Sequence, residues 1–301
     1  MLPPDAYRFL VITRSDHGIT INDWRVSAIA VESGSIAHSY IQDRETPMID
    51  SFRLNGHRAL ITGSVRGIGL ALARGLAQAG AQVVLNGRDA ERAQGACALL
   101  RDEGLDVDYA VFDVTEHQAV ATAIDALENR LGPIDILINN AGLQHRQALQ
   151  DVSAEDWHRL MSTNLDGVFN VSKAVARHMI ARRRGKIINI GSVQSELARP
   201  SISPYAASKG AVRMLTRGMC ADWAGHGLQI NALAPGYFQT ELNQALVDDP
   251  AFCEWLVKRT PAGRWGHVEE LCGAAVFLAS SASDFVNGQT LFVDGGLTSV
   301  V

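Results

Sequence analysis

Nothing in this sequence invites a metal, a disulfide, a membrane or a nucleic acid. Its four cysteines, Cys97, Cys220, Cys253 and Cys272, are scattered without a C-x-x-C pair or Cys/His ligand spacing. That excludes a disulfide scaffold and a thiolate metal site, and leaves reduced, mostly buried thiols. No apolar run reaches the roughly 20 residues that a membrane-spanning helix needs. The net charge of −5 gives no electrostatic reason to bind nucleic acid or an anionic membrane. The one dense basic run, Arg182-Arg183-Arg184, ends a helical pattern, where cations complement the carbonyl end of the helix dipole. The expected setting is cytoplasmic. Lysine is also scarce: Lys173, Lys186, Lys209 and Lys258 are the only four in 301 residues.

What is present is a regular α/β alternation, though not from the start. Residues 1–47 hold short apolar runs broken by Pro, Gly, Ser and Asp, with no sustained helical period. They are read as a weakly ordered N-terminal extension that need not belong to the native protein, and 48–301 as one domain opening at Met48. From Arg58 onward, almost wholly apolar strands alternate with helical patterns. The strands are Ala59-Leu60-Ile61, Val83-Val84-Leu85, Val107 to Phe112, Ile134 to Ile138, Lys186 to Ile190, Gln229 to Leu233 and Gln289 to Val293. Strands apolar on both sides indicate a doubly wound parallel sheet of Rossmann type with helices on both faces. Helices are expected over about 154–184, about 241–258 and 268–279. The segment of about 237–265, placed after a strand end, fits a movable flap. In such sheets ligands bind beyond the carboxyl ends of the strands, so the residues just after each strand carry the chemistry.

After the first strand comes Gly63-Ser64-Val65-Arg66-Gly67-Ile68-Gly69, then an Ala/Leu-rich helix. Strand, glycine turn and helix in that order suit a pyrophosphate: glycines allow close backbone approach and the helix N-terminus offers amide donors. A glycine-rich helix entry in an unrelated fold is the plain alternative, and the setting argues against it. After the second strand, an NAD site of this kind would place a carboxylate on the ribose 2′-hydroxyl. Here stand Asn86 and Arg88, with Arg66 in the glycine turn. Two guanidinium groups suit a 2′-phosphate, so NADP is preferred over NAD. Asp89 is either a reservation against that or the cap of the next helix.

Against so few lysines, Tyr205-Ala206-Ala207-Ser208-Lys209 stands out. Four residues apart on a helix, phenol and ammonium share one face, and the cation favours phenolate. In order along the chain stand Thr62-Gly63-x-x-x-Gly67-x-Gly69, Asp113, Asn139-Asn140-Ala141-Gly142, Asn164, Ser192, Tyr205-x-x-x-Lys209 and Pro235-Gly236. From about Phe52 to the C-terminus this set resembles the short-chain dehydrogenase/reductase family. The resemblance implies a ketone–alcohol oxidoreductase with Tyr205 as general acid, Ser192 orienting the carbonyl oxygen, and Lys209 binding the nicotinamide ribose and lowering the tyrosine pKa. Asn164 would hold a water linking Lys209 to solvent. The cofactor contacts implied add Thr62, Ser64, Ile68, Val114, Asn140, Ala141, Gly142, Tyr205, Pro235 and Gly236, with Asp113 at the adenine and Thr240 at the nicotinamide carboxamide or a nearby phosphate. A homotetramer is the family expectation.

The strand-end loops also speak to substrate. Arg146 can take a carboxylate bidentately, while Gln194 and Glu196 can bond hydroxyls beside Ser192 and Tyr205, which suits a keto-sugar acid. A reductase of another ketone, such as a 3-oxoacyl thioester, would share every catalytic residue and stays open. A non-catalytic nucleotide-binding regulator would be free to lose the proton donor, yet Asn164, Ser192, Tyr205 and Lys209 are all retained.

Overall fold

A computed structural model describes residues 48–301, the side chain of Leu242 excepted, and before them only a small antiparallel ladder of Arg14–Ser15 with Gly18–Ile19. The expectation for residues 1–47 therefore lies outside the described residues. Seven strands form one sheet: β1 (Arg58–Ile61), β2 (Gln82–Gly87), β3 (Val107–Val111), β4 (Ile136–Asn139), β5 (Gly185–Ile190), β6 (Leu228–Pro235) and β7 (Thr290–Val293). All pairings are parallel, in the order β3-β2-β1-β4-β5-β6-β7. The order reverses between β1 and β4, which opens a crevice at their carboxyl ends.

Successive strand residues point to opposite faces, and each face is apolar because each carries helices. On one face Ala59, Ile61, Val83, Leu85, Ile136, Ile138 and Ile188 pack against Leu72 and Leu76 of α1 (Gly67–Gln78), Cys97 and Leu100 of α2 (Ala90–Asp102), and Leu278 of α9 (Cys272–Ala279). On the other, Leu60, Val84, Leu137, Ile187 and Ile230 meet α3 (His117–Leu131), α5 (Gly167–Arg182) and α6 (Ser203–Trp223) through residues such as Ile124, Val171 and Val212. Each fully buried Leu or Ile contributes roughly 1.5–3 kcal/mol. Among the described residues no helix is long and apolar enough to cross a membrane.

Three expected helices are broken in ways that matter. The run expected over 154–184 is α4 (Ala154–Met161), a π-turn over Ser162–Asp166, and α5. Wide turns of this kind free a position in the helical ladder, and here the inserted turn carries Asn164. The helix ends early because Arg183 takes a left-handed conformation, φ 55°. The basic run is satisfied by its own chain: Arg182 pairs with Glu128, Arg184 with Asp135, and Arg183 donates to the Gly225 carbonyl. The region expected over 241–258 is split into α7 (Gln244–Val247) and α8 (Pro250–Arg259), because Asp249 caps the backbone N–H groups of Ala251 and Phe252 and Pro250 starts a new helix. The region 268–279 opens with a 3₁₀ turn, Val268–Leu271, before α9.

Candidate active site

At the end of β1 the chain turns through Thr62 to Arg66 into α1. Gly63 (φ 59°) and Gly67 (φ 55°) occupy the left-handed region. A Cβ on Gly63 would stand 2.8 Å from the Cα of Ala141, and one on Gly69 would stand 2.5 Å from Asn140 Nδ2 and from the Gly63 carbonyl oxygen. Gly67 has nothing within 4 Å of that position, so the backbone there is open to a ligand. Thr62 Oγ1 accepts from the N–H groups of Asn140 and Ala141, and Asn140 Nδ2 donates to the carbonyl oxygens of Thr62 and Gly63. Ser64 Oγ donates to the Ile61 carbonyl and accepts from the Asn86 N–H. The turn is thus locked to the loop after β4. Arg66 makes no side-chain cap, so no cap side chain occupies the first N–H groups of α1. These features fit a bound pyrophosphate.

Beside the turn, Arg66 and Arg88 are both exposed, Arg66 paired with Glu241 at 3.2 Å and Arg88 with Asp113 at 3.3 Å. Burial pushes the Asp113 carboxyl up, but the Thr115 N–H and hydroxyl and the Arg88 guanidinium outweigh it and hold the pKa below the usual value. Asp89 caps α2 by accepting from the Arg92 N–H, which is the structural of its two expected roles. Asn86 is buried; its Oδ1 accepts from the Gly63 N–H and its Nδ2 donates to the carbonyls of Ala110 and Phe112. Its amide therefore ties the glycine turn to the end of β3 instead of pointing outward. The Val114 side chain is likewise in the core, and its carbonyl accepts from Asn170.

A cleft of about 190 Å³ runs from this turn along the carboxyl ends of β1, β4, β5 and β6. The turn contributes Gly63, Gly67, Ile68 and Gly69, and the far side Pro235, Gly236 and Thr240. Ser192, Tyr205 and Lys209 meet at its inner end. Ser192 is buried, its Oγ accepting from the Gln194 N–H. Burial pushes the Tyr205 phenol above its ordinary pKa; a hydrogen bond to Ser192 and the Arg146 charge act the other way. Lys209 does not supply the expected lowering. Its Nζ lies 5.7 Å from the Tyr205 ring centre and donates to the Ile190 carbonyl at 2.7 Å, and burial lowers its own pKa to about 8. The ammonium is bound to backbone at the end of β5, so the tyrosine is poised as an acid in this state. Asn164 Oδ1 accepts from the Leu143 N–H, while Nδ2 donates to the Leu143 carbonyl and Ser208 Oγ. Its side chain clamps the loop after Gly142 instead of facing open space.

A second cavity of about 50 Å³ adjoins the first at Ser192 and Tyr205. Arg146, Gln194, Arg199 and Tyr237 line it. Glu196, expected at the substrate, pairs instead with Arg213 of α6. The turn Val193–Ser195 directs it away from the pocket, and it does not line it.

A family model described as enoyl-(acyl carrier protein) reductase matches residues 63–298. The gluconate 5-dehydrogenase of Gluconobacter oxydans is 64% identical, over 83% of this chain and 97% of its own length. The 5-keto-D-gluconate 5-reductase of Escherichia coli K12 is 54% identical, over 84% of this chain and 100% of its own. This chain belongs to the short-chain dehydrogenase/reductase family. Among family members of known structure, the gluconate 5-dehydrogenase of Burkholderia cenocepacia, solved in complex with NADP and tartrate, is 71% identical. It superposes with a TM-score of 0.83, covering 84% of this chain and 99% of its own.

As a short-chain dehydrogenase/reductase, the chain gathers most of its expected site residues around one cleft, and adds others. Gln144, Tyr237 and Asn243 also line the second cavity. The strand-end rule reaches Gln144 and Tyr237, which follow β4 and β6. Arg199 lies in an irregular loop and Asn243 ends the 3₁₀ turn Glu241–Asn243, and no periodicity or spacing singles them out.

Proposed function

We propose that this chain is an NADP-dependent oxidoreductase that interconverts 5-keto-D-gluconate and D-gluconate. The carrying observation is that a cleft fitted to a dinucleotide and a small cationic pocket share one wall, formed by Ser192 and Tyr205. The glycine turn and the N-terminus of α1 hold the pyrophosphate; Arg66 and Arg88 face the 2′-phosphate, which gives NADP its preference over NAD. The bound nicotinamide supplies the hydride. Everything else is done by the chain. Tyr205 donates its proton to the carbonyl oxygen as the alcohol forms, and a phenol held protonated by burial suits that task. Ser192 hydrogen-bonds the same oxygen and stabilises the developing alkoxide. Lys209 binds the nicotinamide ribose, and Asn164 holds the loop that closes the cleft beside it. Arg146 and Gln194 receive the carboxylate and hydroxyls of the sugar acid. The segment of about 237–265 acts as the cover of the site.

The activities of the Gluconobacter and Escherichia relatives, and the NADP and tartrate bound by the Burkholderia enzyme, support this assignment. A homotetramer in the cytoplasm belongs to the same proposal and is checked by light scattering and cell fractionation. The deciding assay follows NADPH and NADH oxidation in turn with 5-keto-D-gluconate and with an acetoacetyl thioester. Preferential turnover of the sugar acid with NADPH is expected. Preferential turnover of the thioester would overturn the substrate assignment.

A further inference from the structure

The pocket beyond Tyr205 carries more positive charge than carbonyl chemistry requires. Arg146 enters it from the loop after β4 and Arg199 from the loop before α6. Among the described residues neither guanidinium is paired with a carboxylate; the polar partner of Arg146 is Asn243 Oδ1 at 3.4 Å. Arg199 rests with its guanidinium carbon 5.5 Å from the centre of the Phe252 ring, and its charge acts on the neighbouring Tyr237 phenol, against the burial that pushes that phenol up. Its Nε is buried without a partner. Gln194, 8% exposed, has its Nε2 within 3.5 Å of the Tyr237 hydroxyl, and its buried Oε1 has no partner.

These facts make one unsatisfied site. Two like charges facing one half-buried cavity repel, and buried donors and acceptors left unmade cost free energy. The aromatic faces that support Arg199 are themselves fixed: Tyr237, Phe252 and Trp265 pack edge-on or tilted with ring centres 5.5–6.1 Å apart. The guanidinium is therefore held in place without being neutralised. An anion that also offers a hydroxyl meets all of these demands at once, and a planar carboxylate matches arginine forks. A neutral acyl thioester would leave both cations unpaired.

Taking the pocket as the substrate site proposed above, we infer that Arg199 is the second half of a two-arginine clamp on the substrate carboxylate. Gln194 Oε1 accepts from a substrate hydroxyl beside it. Arg199 touches the substrate and sets its specificity; it takes no part in the hydride or proton step.

The test compares wild type, Arg199→Met and Arg199→Lys. Methionine removes the charge at similar bulk, and lysine keeps the charge without the fork. In Arg199→Met, KM for 5-keto-D-gluconate is expected to rise by about 20-fold or more, the loss typical of one partner of a half-buried charge pair. KM for NADPH and kcat stay within a few-fold, and Arg199→Lys recovers part of the loss. A rise below about threefold, or a parallel rise in KM for NADPH, overturns the clamp. Calorimetric titration of D-gluconate into the NADPH-loaded proteins, a pairing with no hydride acceptor, reads the clamp without turnover. Binding about tenfold weaker in Arg199→Met than in wild type supports it, and equal binding refutes it. Should wild type fail to reduce 5-keto-D-gluconate, the proposed reaction falls while the titration still decides the clamp.

Discussion

Replacing Lys209 by methionine should remove activity and, at the same time, reveal a stability cost that the catalytic lysine imposes. Lys209 is 6% exposed and the hydrogen-bond partner of its ammonium is the Ile190 carbonyl. Burial lowers its pKa from 10.5 to about 8. At about 1.4 kcal/mol per pH unit, that interval corresponds to about 3 kcal/mol of destabilisation while the folded protein holds the proton. Below pH 8 both folded and unfolded chains are protonated at this position and the cost is full. Between pH 8 and 10.5 the unfolded chain binds more protons than the folded one, so stability rises with pH and the cost fades. Lys209→Met has no such titration, while the remaining ionisable groups are common to both proteins. The stability of wild type minus that of the variant, from urea unfolding at matched protein concentration, should therefore rise by about 2–3 kcal/mol from pH 7 to pH 10. Loss of the bond to the Ile190 carbonyl adds an offset independent of pH, so the slope carries the information. A difference that stays flat to within about 0.5 kcal/mol across that range would show that Lys209 titrates as an exposed lysine does, and would refute the buried, backbone-held ammonium.

Tyr205→Phe should lower kcat for ketone reduction by about 10²–10⁴ with KM for NADPH changed less than about threefold, since the hydroxyl it removes is the proton donor while the ring that lines the cleft is kept. Because burial holds the phenol protonated above its ordinary pKa, reduction should persist across neutral pH and fall only on the alkaline side, whereas alcohol oxidation should rise with pH; an acid-side rise in reduction would contradict this. Asn86→Asp, which imitates the acidic residue of NAD-type sites, should lower stability by about 3 kcal/mol without conferring NADH use. It places a carboxylate against the carbonyls of Ala110 and Phe112 in a buried position, and thermal melting with paired NADH kinetics checks both halves. Gly69→Ala should abolish NADPH binding in a fluorescence titration, because its Cβ would meet Asn140 Nδ2 and the Gly63 carbonyl at 2.5 Å; retained nanomolar-to-micromolar binding would show that the turn yields.

The disagreements between sequence and structure fall where side chains have a choice of partner. Asn86 and Arg88 are near neighbours at the end of β2, and the sequence alone treats both as candidate cofactor contacts. The strand ends at Gly87, so Asn86 is still inside the sheet, where three backbone groups consume its amide, while Arg88 lies past the strand end and is exposed. Glu196 and Gln194 follow Ser192 with equal claim to the substrate, yet the tight turn sends Glu196 to Arg213 and Gln194 into the pocket. The interior asparagine at 164 was legible as a helix anomaly, but not the π-turn that carries it, since a widened turn needs a tertiary partner such as Leu143 to hold it.

What the sequence by itself determined is whatever local chemistry dictates. Doubly apolar strands require a sheet covered on both faces, glycines at Gly63, Gly67 and Gly69 permit a turn that other residues cannot make, and the Tyr205/Lys209 spacing places both on one helical face. Tertiary structure decided what depends on distance between segments remote in the chain. It set the Lys209 ammonium on the Ile190 carbonyl, 5.7 Å from the centre of the Tyr205 ring, and it brought Arg146 and Arg199 to one cavity across loops that the sequence leaves unconnected. The physical reason is that periodicity and spacing report on one element at a time. Charge pairing, burial and the satisfaction of a buried donor are settled only when several elements pack together.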